Sequence, residues 1–113
     1  MDDVMPPLRI TPADVRKLVP TAAGRFDKIV MAHGTMEVEI YAPRGVDLQN
    51  PHRRDELYVI ISGTGFFRRD TMRVPFAPGD VLFVPAHMPH RFEDFSDDFA
   101  TWVIFYGPDG GEG

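Results

Sequence analysis

Residues 49–65 read QNPHRRDELYVIISGTG, and the conformation of that stretch decides the fold. His52 and Glu56 stand four apart, ahead of an apolar run that stops at Gly63 and Gly65. LYVIIS reads as a strand, rich in β-branched and aromatic residues and closed by glycines. Side chains alternate along a strand, so Tyr58 shares the face of Glu56. Arg53, Arg54 and Asp55 read as a solvated charged turn between the histidine and the glutamate.

Outward from this stretch, the chain from Arg25 onward is a series of short β-type runs separated by Gly, Pro, Asn and Asp. That texture belongs to an antiparallel sandwich or barrel. TMEVEIYA alternates, with Met36, Val38 and Ile40 on one face and Glu37, Glu39 and Tyr41 on the other. GFFRRDTMRVPFA reads as a hairpin turning near Asp70 and Thr71. PGDVLFVPAHMPHRFEDF, residues 78–95, gives a turn, a strand, a loop and another strand, and FATWVIFYG closes the series at about eight strands.

Residues 1–24 form an arm with one short helix, capped by Thr11, with Pro12 at its first position and Pro20 beyond its end. The barrel is expected over residues 25–106. The tail, residues 107–113, has nothing apolar to bury and is expected to be flexible.

Composition narrows the function classes. A net charge of −5 in 113 residues argues against a nucleic-acid partner, whose phosphates demand clustered cations. With no cysteine, disulfides and thiolate ligands are out, and any metal must be held by His, carboxylate, amide or water. No run reaches membrane-spanning length, and the acidic, proline-broken MDDVMPPLRI is unlike a secretory signal, so a cytoplasmic protein with no membrane partner is expected.

Two spacings carry a resemblance. Glu56 precedes Gly63 by seven positions and follows His52 by four; Gly79, Pro85 and His90 recur in a second pattern. These resemble the two motifs of the cupin superfamily, G-(x)5-H-x-H-(x)3-4-E-(x)6-G and G-(x)5-P-x-G-(x)2-H-(x)3-N, over roughly residues 44–94. His52 falls on the second histidine of the first motif, Glu56 on its glutamate and His90 on the histidine of the second. The chain departs from the family pattern at four places: Asn50 stands at the first histidine, Arg44 at the opening glycine, His87 at a glycine and Asp94 at the asparagine. The resemblance implies an all-β, antiparallel double-sheet jelly-roll barrel and a homodimer.

The residues and the resemblance converge on one site. Two imidazoles and a carboxylate, His52, His90 and Glu56, leave about half of an octahedral shell open, the arrangement of non-haem Fe(II) oxygenases. Asn50 or Gln49 could add an amide oxygen, or water could take the fourth place. The expected cofactor is a divalent ion, Fe, Mn, Ni or Zn, with a small organic molecule reaching it through the barrel mouth. Tyr58 is the candidate hydrogen-bond donor to that ligand. Dioxygenase chemistry is one outcome; an isomerase or lyase would need a separate base, which the motifs do not supply. The alternative is a non-catalytic cupin, metal-free or structurally metallated, that only binds a small molecule. His87, between prolines, is expected to face solvent, and His33 to sit at a turn.

Overall fold

The punctuation of the chain becomes eight strands and one short helix in a computed structural model that describes residues 5–113. The first four residues of the expected arm lie outside the described residues. Thr11 caps α1 (Pro12–Arg16): its hydroxyl accepts the Asp14 N–H at 3.2 Å, and the Asp14 carboxylate accepts the Thr11 N–H at 3.3 Å. This reciprocal cap satisfies two donors that a helix start leaves open.

The strands are β1 (Asp27–His33), β2 (Met36–Tyr41), β3 (Asp55–Ser62), β4 (Gly65–Arg69), β5 (Met72–Phe76), β6 (Val81–Val84), β7 (His90–Glu93) and β8 (Ala100–Tyr106). They form a five-stranded sheet in the order β1-β2-β8-β3-β6 and a three-stranded sheet in the order β5-β4-β7. Every pairing is antiparallel. The sheets face each other as a jelly-roll-like double layer; they do not close into one continuous hydrogen-bonded barrel. The hairpin between β4 and β5 turns at Asp70 and Thr71, as the sequence indicates, with Asp70 at φ 54°.

Strand register settles which face looks inward. Glu37 pairs with Phe105, which pairs with Glu56, which pairs with Val84; one pleat along, Glu39, Val103, Tyr58 and Leu82 line up in the same way. These side chains share the inner face, where Tyr58, Ile60, Val84, Val103 and Phe105 join Phe67, Phe76, Phe92 and Phe99 in one core. The apolar face of β2 points the other way. Ile40 packs outside the sheet with Val15 of α1 and Ala100, flanked by Ile10, Val19 and Trp102. The arm therefore covers an apolar outer surface, and Glu37, Glu39 and Tyr41 are turned toward the interior.

Gly63 explains the closing glycine of the first motif. Its φ is +87°, and a Cβ there would lie 2.6 Å from the Phe99 Cα. Backbone has to pass backbone at this corner, and only glycine leaves the room.

Candidate metal centre

Glu56 is the second residue of β3, held in register between β8 and β6. Pairing on both sides fixes its backbone, and its side chain enters the space between the sheets with 1% exposure. His90 opens β7 on the opposing sheet, across from Arg69, with its ring fully buried. Phe92, two residues on, points inward as well, while Arg91 faces out. His52 lies on the loop before β3 with its ring partly exposed. Its carbonyl accepts the His87 N–H at 2.7 Å, and Asp55 Oδ1 accepts the Ala86 N–H at 2.9 Å. These two bonds tie the loop that delivers His90 to the start of β3. One ligand-type atom each from His52, Glu56 and His90 lies within 4.8 Å of the others.

The chemistry of two members of the trio, Glu56 and His90, is unsatisfied. His90 Nδ1–H donates to the Met88 carbonyl at 2.9 Å, which can only accept, so the Nε2 lone pair is left facing Glu56. Nε2 and Glu56 Oε1 are 3.0 Å apart, and His52 Nε2 is 3.8 Å from Glu56 Oε2. Close as these atoms are, Glu56 Oε1, Oε2 and His90 Nε2 are buried without a directed hydrogen bond. Burial disfavours the charged form of both imidazoles. It prevails at His52, whose pKa is lowered; at His90 the Glu56 carboxylate and the Met88 carbonyl outweigh it and the pKa is raised. A lone pair and a carboxylate at this distance need a proton or a cation between them, and a second neutral imidazole beside them suits the cation. The residues present fit a divalent ion.

Asp47, absent from the sequence reading, organises the surroundings. Fully buried, it accepts the Tyr41 hydroxyl at 2.6 Å, the Gln49 N–H at 3.1 Å and side-chain amide at 3.0 Å, and the Phe92 N–H at 2.9 Å. Because the Gln49 NH₂ is held by Asp47, its Oε1 points to the centre, 3.1 Å from His52 Nε2 and 3.2 Å from the Tyr58 hydroxyl, which donates to it. Of the two amides named above, Gln49 is thus the one beside the trio, and Asn50 is exposed. Tyr58 shares the face of Glu56 as alternation requires, and burial raises its pKa well above the usual phenol range.

The reading of Arg53–Asp55 as a solvated turn needs correction. Arg53 is exposed, but Arg54 is half-buried and bridges to Glu37 and the Thr35 carbonyl. Asp55 is buried, accepting the N–H groups of Ala86 and Glu112, and these backbone bonds lower its pKa. The tail has more to hold it than its composition suggests: Gly110 N–H also donates to the Arg53 carbonyl at 2.7 Å. His87 is exposed, as expected, with a φ of 66°.

A cavity of about 490 Å³ opens at His52, lined also by Glu39, Tyr41, Gln49, Asn50, Val103 and Phe105; Glu56 and His90 are not part of its lining. The Glu39 carboxyl is pushed up to about 7, first by burial and then by the charges of Asp27, Glu37 and Glu56.

Comparison with known proteins agrees with this geometry. A Cupin domain family profile matches residues 37–106. The chain belongs to the cupin family. An uncharacterized protein of Streptomyces coelicolor is 34% identical to this cupin over 76 residues, covering 66% of the chain and 72% of that protein. An acireductone dioxygenase of Leishmania infantum is 41% identical over 64 residues, 51% of the chain; the match spans only 19% of that longer protein. Among solved structures, a Cupin 2 conserved barrel domain protein from Salinispora arenicola superposes with a TM-score of 0.67 at 20% identity, covering 89% of this chain and 90% of that one. Identity that low speaks to the fold alone. No helix among the described residues is long and apolar enough to cross a membrane.

Proposed function

We propose that this cupin holds a divalent metal ion, Fe, Mn, Ni or Zn, through His52, Glu56 and His90, and acts on a small organic molecule in the adjoining cavity as a dioxygenase-type oxidoreductase. The observation that carries the reading is the buried Glu56 carboxylate facing the bare His90 Nε2 at 3.0 Å with no directed hydrogen bond. A bound divalent ion supplies Lewis-acid polarisation of a ligand oxygen and, if redox-active, electron transfer to O₂. The protein's own part is positional. Met88 holds the His90 tautomer, and Asp47 turns the Gln49 oxygen toward the centre as the fourth donor. Tyr58 steadies that oxygen, and Val103 and Phe105 form the apolar wall that limits water.

Metal analysis of protein purified without chelator is expected to find about one ion per chain, and none in His90→Ala. Protein that retains none of the four metals and takes none up ends the proposal. Asn50, where the family motif has histidine, favours the second reading, a cupin that binds a small molecule without turning it over. Retention of ligand without metal would support that version. The same reading includes a homodimer, supported by exposed Met72, Val74, Val81 and Phe83 on the outer strands β5 and β6. A monomer in light scattering removes the dimer.

A further inference from the structure

An isomerase, a lyase or an oxygenase that must first deprotonate its substrate needs a base that is not a metal ligand. Glu56 cannot serve while it holds an ion. Among the described residues that line the cavity with His52, the carboxylates are Asp27 and Glu39. Asp27 is engaged by the Arg25 guanidinium through two bonds of 2.9 Å. Glu39 has neither an ion pair nor a side-chain hydrogen bond among the described residues. It is one of three inward residues of β2, opposite Val103, in the same row of the sheet as Tyr58 and one pleat along from the row that carries Glu56.

We propose that Glu39 is the proton acceptor of the cavity, serving a neutral ligand with an acidic hydroxyl beside a carbonyl, such as an α-hydroxy carbonyl compound. The inference rests on the metal reading above. In the step, the ligand's O–H bond breaks, the proton forms a bond to a Glu39 carboxylate oxygen, and the electron pair stays on the ligand oxygen, which faces the metal side. The total charge of the cavity is unchanged. Facing Glu39 are Asp27 and the already paired Arg25 from β1 and its approach, Glu37, bridged to Arg54, and Tyr41 on its own strand, Glu56 and Tyr58 from β3 and His52 from the loop; β8 offers only Val103 and Phe105. Asp27 is paired with Arg25, Glu37 with Arg54 and Glu56 with the ion of the metal reading, which leaves Glu39 as the carboxylate open to a proton. A neutral acid can give that proton to Glu39 and present its oxyanion to the ion with no net change of charge. Burial in the cavity wall, the largest cause, raises the Glu39 carboxyl above its ordinary value, the direction that suits a proton acceptor.

The test uses the zinc-loaded chain, redox-inert, with acetohydroxamic acid as a neutral two-oxygen chelating probe. Calorimetry in buffers of different ionisation enthalpy counts the protons released on binding. At about pH 8 the wild type is expected to release almost none, because the Glu39 carboxylate keeps the proton. Glu39→Gln, which cannot, is expected to release about one per probe bound and to bind at least tenfold more weakly. Glu39→Asp should again retain the proton. Release by the wild type alone should rise toward one as the pH falls and Glu39 fills beforehand, a readout that needs no variant. Equal release by wild type and Glu39→Gln, or one proton from the wild type at every pH, overturns the assignment while leaving the metal site standing. A chain that holds no zinc overturns both.

Discussion

The two ends of the space between the sheets are built on opposite terms. At one end Phe76, Phe92 and Phe99 pack edge-on or tilted with ring centroids 4.7–5.5 Å apart, and the corner at Gly63 is packed backbone against backbone. At the other, Glu56 and His90 are just as deeply buried, yet their polar atoms are left without directed partners. The same strands serve both ends, so the difference cannot come from the backbone. It comes from which side chains occupy successive rows of the inner face. Packing at the closed end supplies stability that the open end spends on holding unsatisfied groups in place.

Substitutions should separate the two ends. Phe99→Ala, at the closed end, is expected to cost about 3–5 kcal/mol in urea unfolding, because the rings around it can collapse only partly into the vacated space. Its metal content, if it still folds, should stay at the wild-type level; loss of both together would mean that the ends are not separable. Glu56→Gln should do the reverse. An amide N–H can donate to the His90 Nε2 lone pair that the carboxylate cannot satisfy, so the metal-free variant should be more stable by about 1 kcal/mol while metal retention is lost. A clear destabilisation in the presence of chelator would count against the picture of an unsatisfied site.

The pH dependence of the metal-free protein follows from Glu39. Its folded pKa is raised, from 4.5 to about 7, so the fold favours the protonated acid. Its contribution is favourable in full below the unfolded value and is lost as the pH rises through the folded one. Thermal unfolding of the chelated wild type should therefore show a Tm that falls between about pH 5 and about pH 8 by more than in Glu39→Gln. Parallel curves for the two proteins would place Glu39 in water rather than in the cavity wall. The smallest contrast concerns the neighbouring amides. Gln49→Ala is expected to weaken metal binding about tenfold, the usual effect of losing a group that orients a ligand. Asn50→Ala, at an exposed position, should change it less than about twofold and leave stability within about 0.5 kcal/mol. Equal losses would return Asn50 to the ligand set.

Much of this was legible in the chain. Gly, Pro, Asn and Asp marked the strand ends because they suit turns and break ladders, and all eight runs appear as strands. His52, Glu56 and His90 carried a spacing signal and are brought together. What stayed hidden depends on long-range packing. The alternation in β2 showed two faces but not which one looks inward, since an arm placed outside the sheet turns the apolar face of Val38 and Ile40 into an exterior core. Alternation alone therefore could not place Glu39 inside. Asp55 looked solvated among its charged neighbours because its partners, Ala86 and Glu112, are remote in sequence. Asp47 sits in a stretch that reads as a polar turn, and nothing local distinguishes a turn aspartate from one that accepts four hydrogen bonds.

Asp47 also bears on the size of the opening. The Tyr41 hydroxyl reaches it from the five-stranded sheet and the Phe92 N–H from the three-stranded one, between layers that share no strand pairing. One short side chain thus laces the two sheets at the end where the cavity lies. The spacing of the two layers is gauged there by the length of a single aspartate, which makes this residue a calliper between the sheets as much as a support for Gln49.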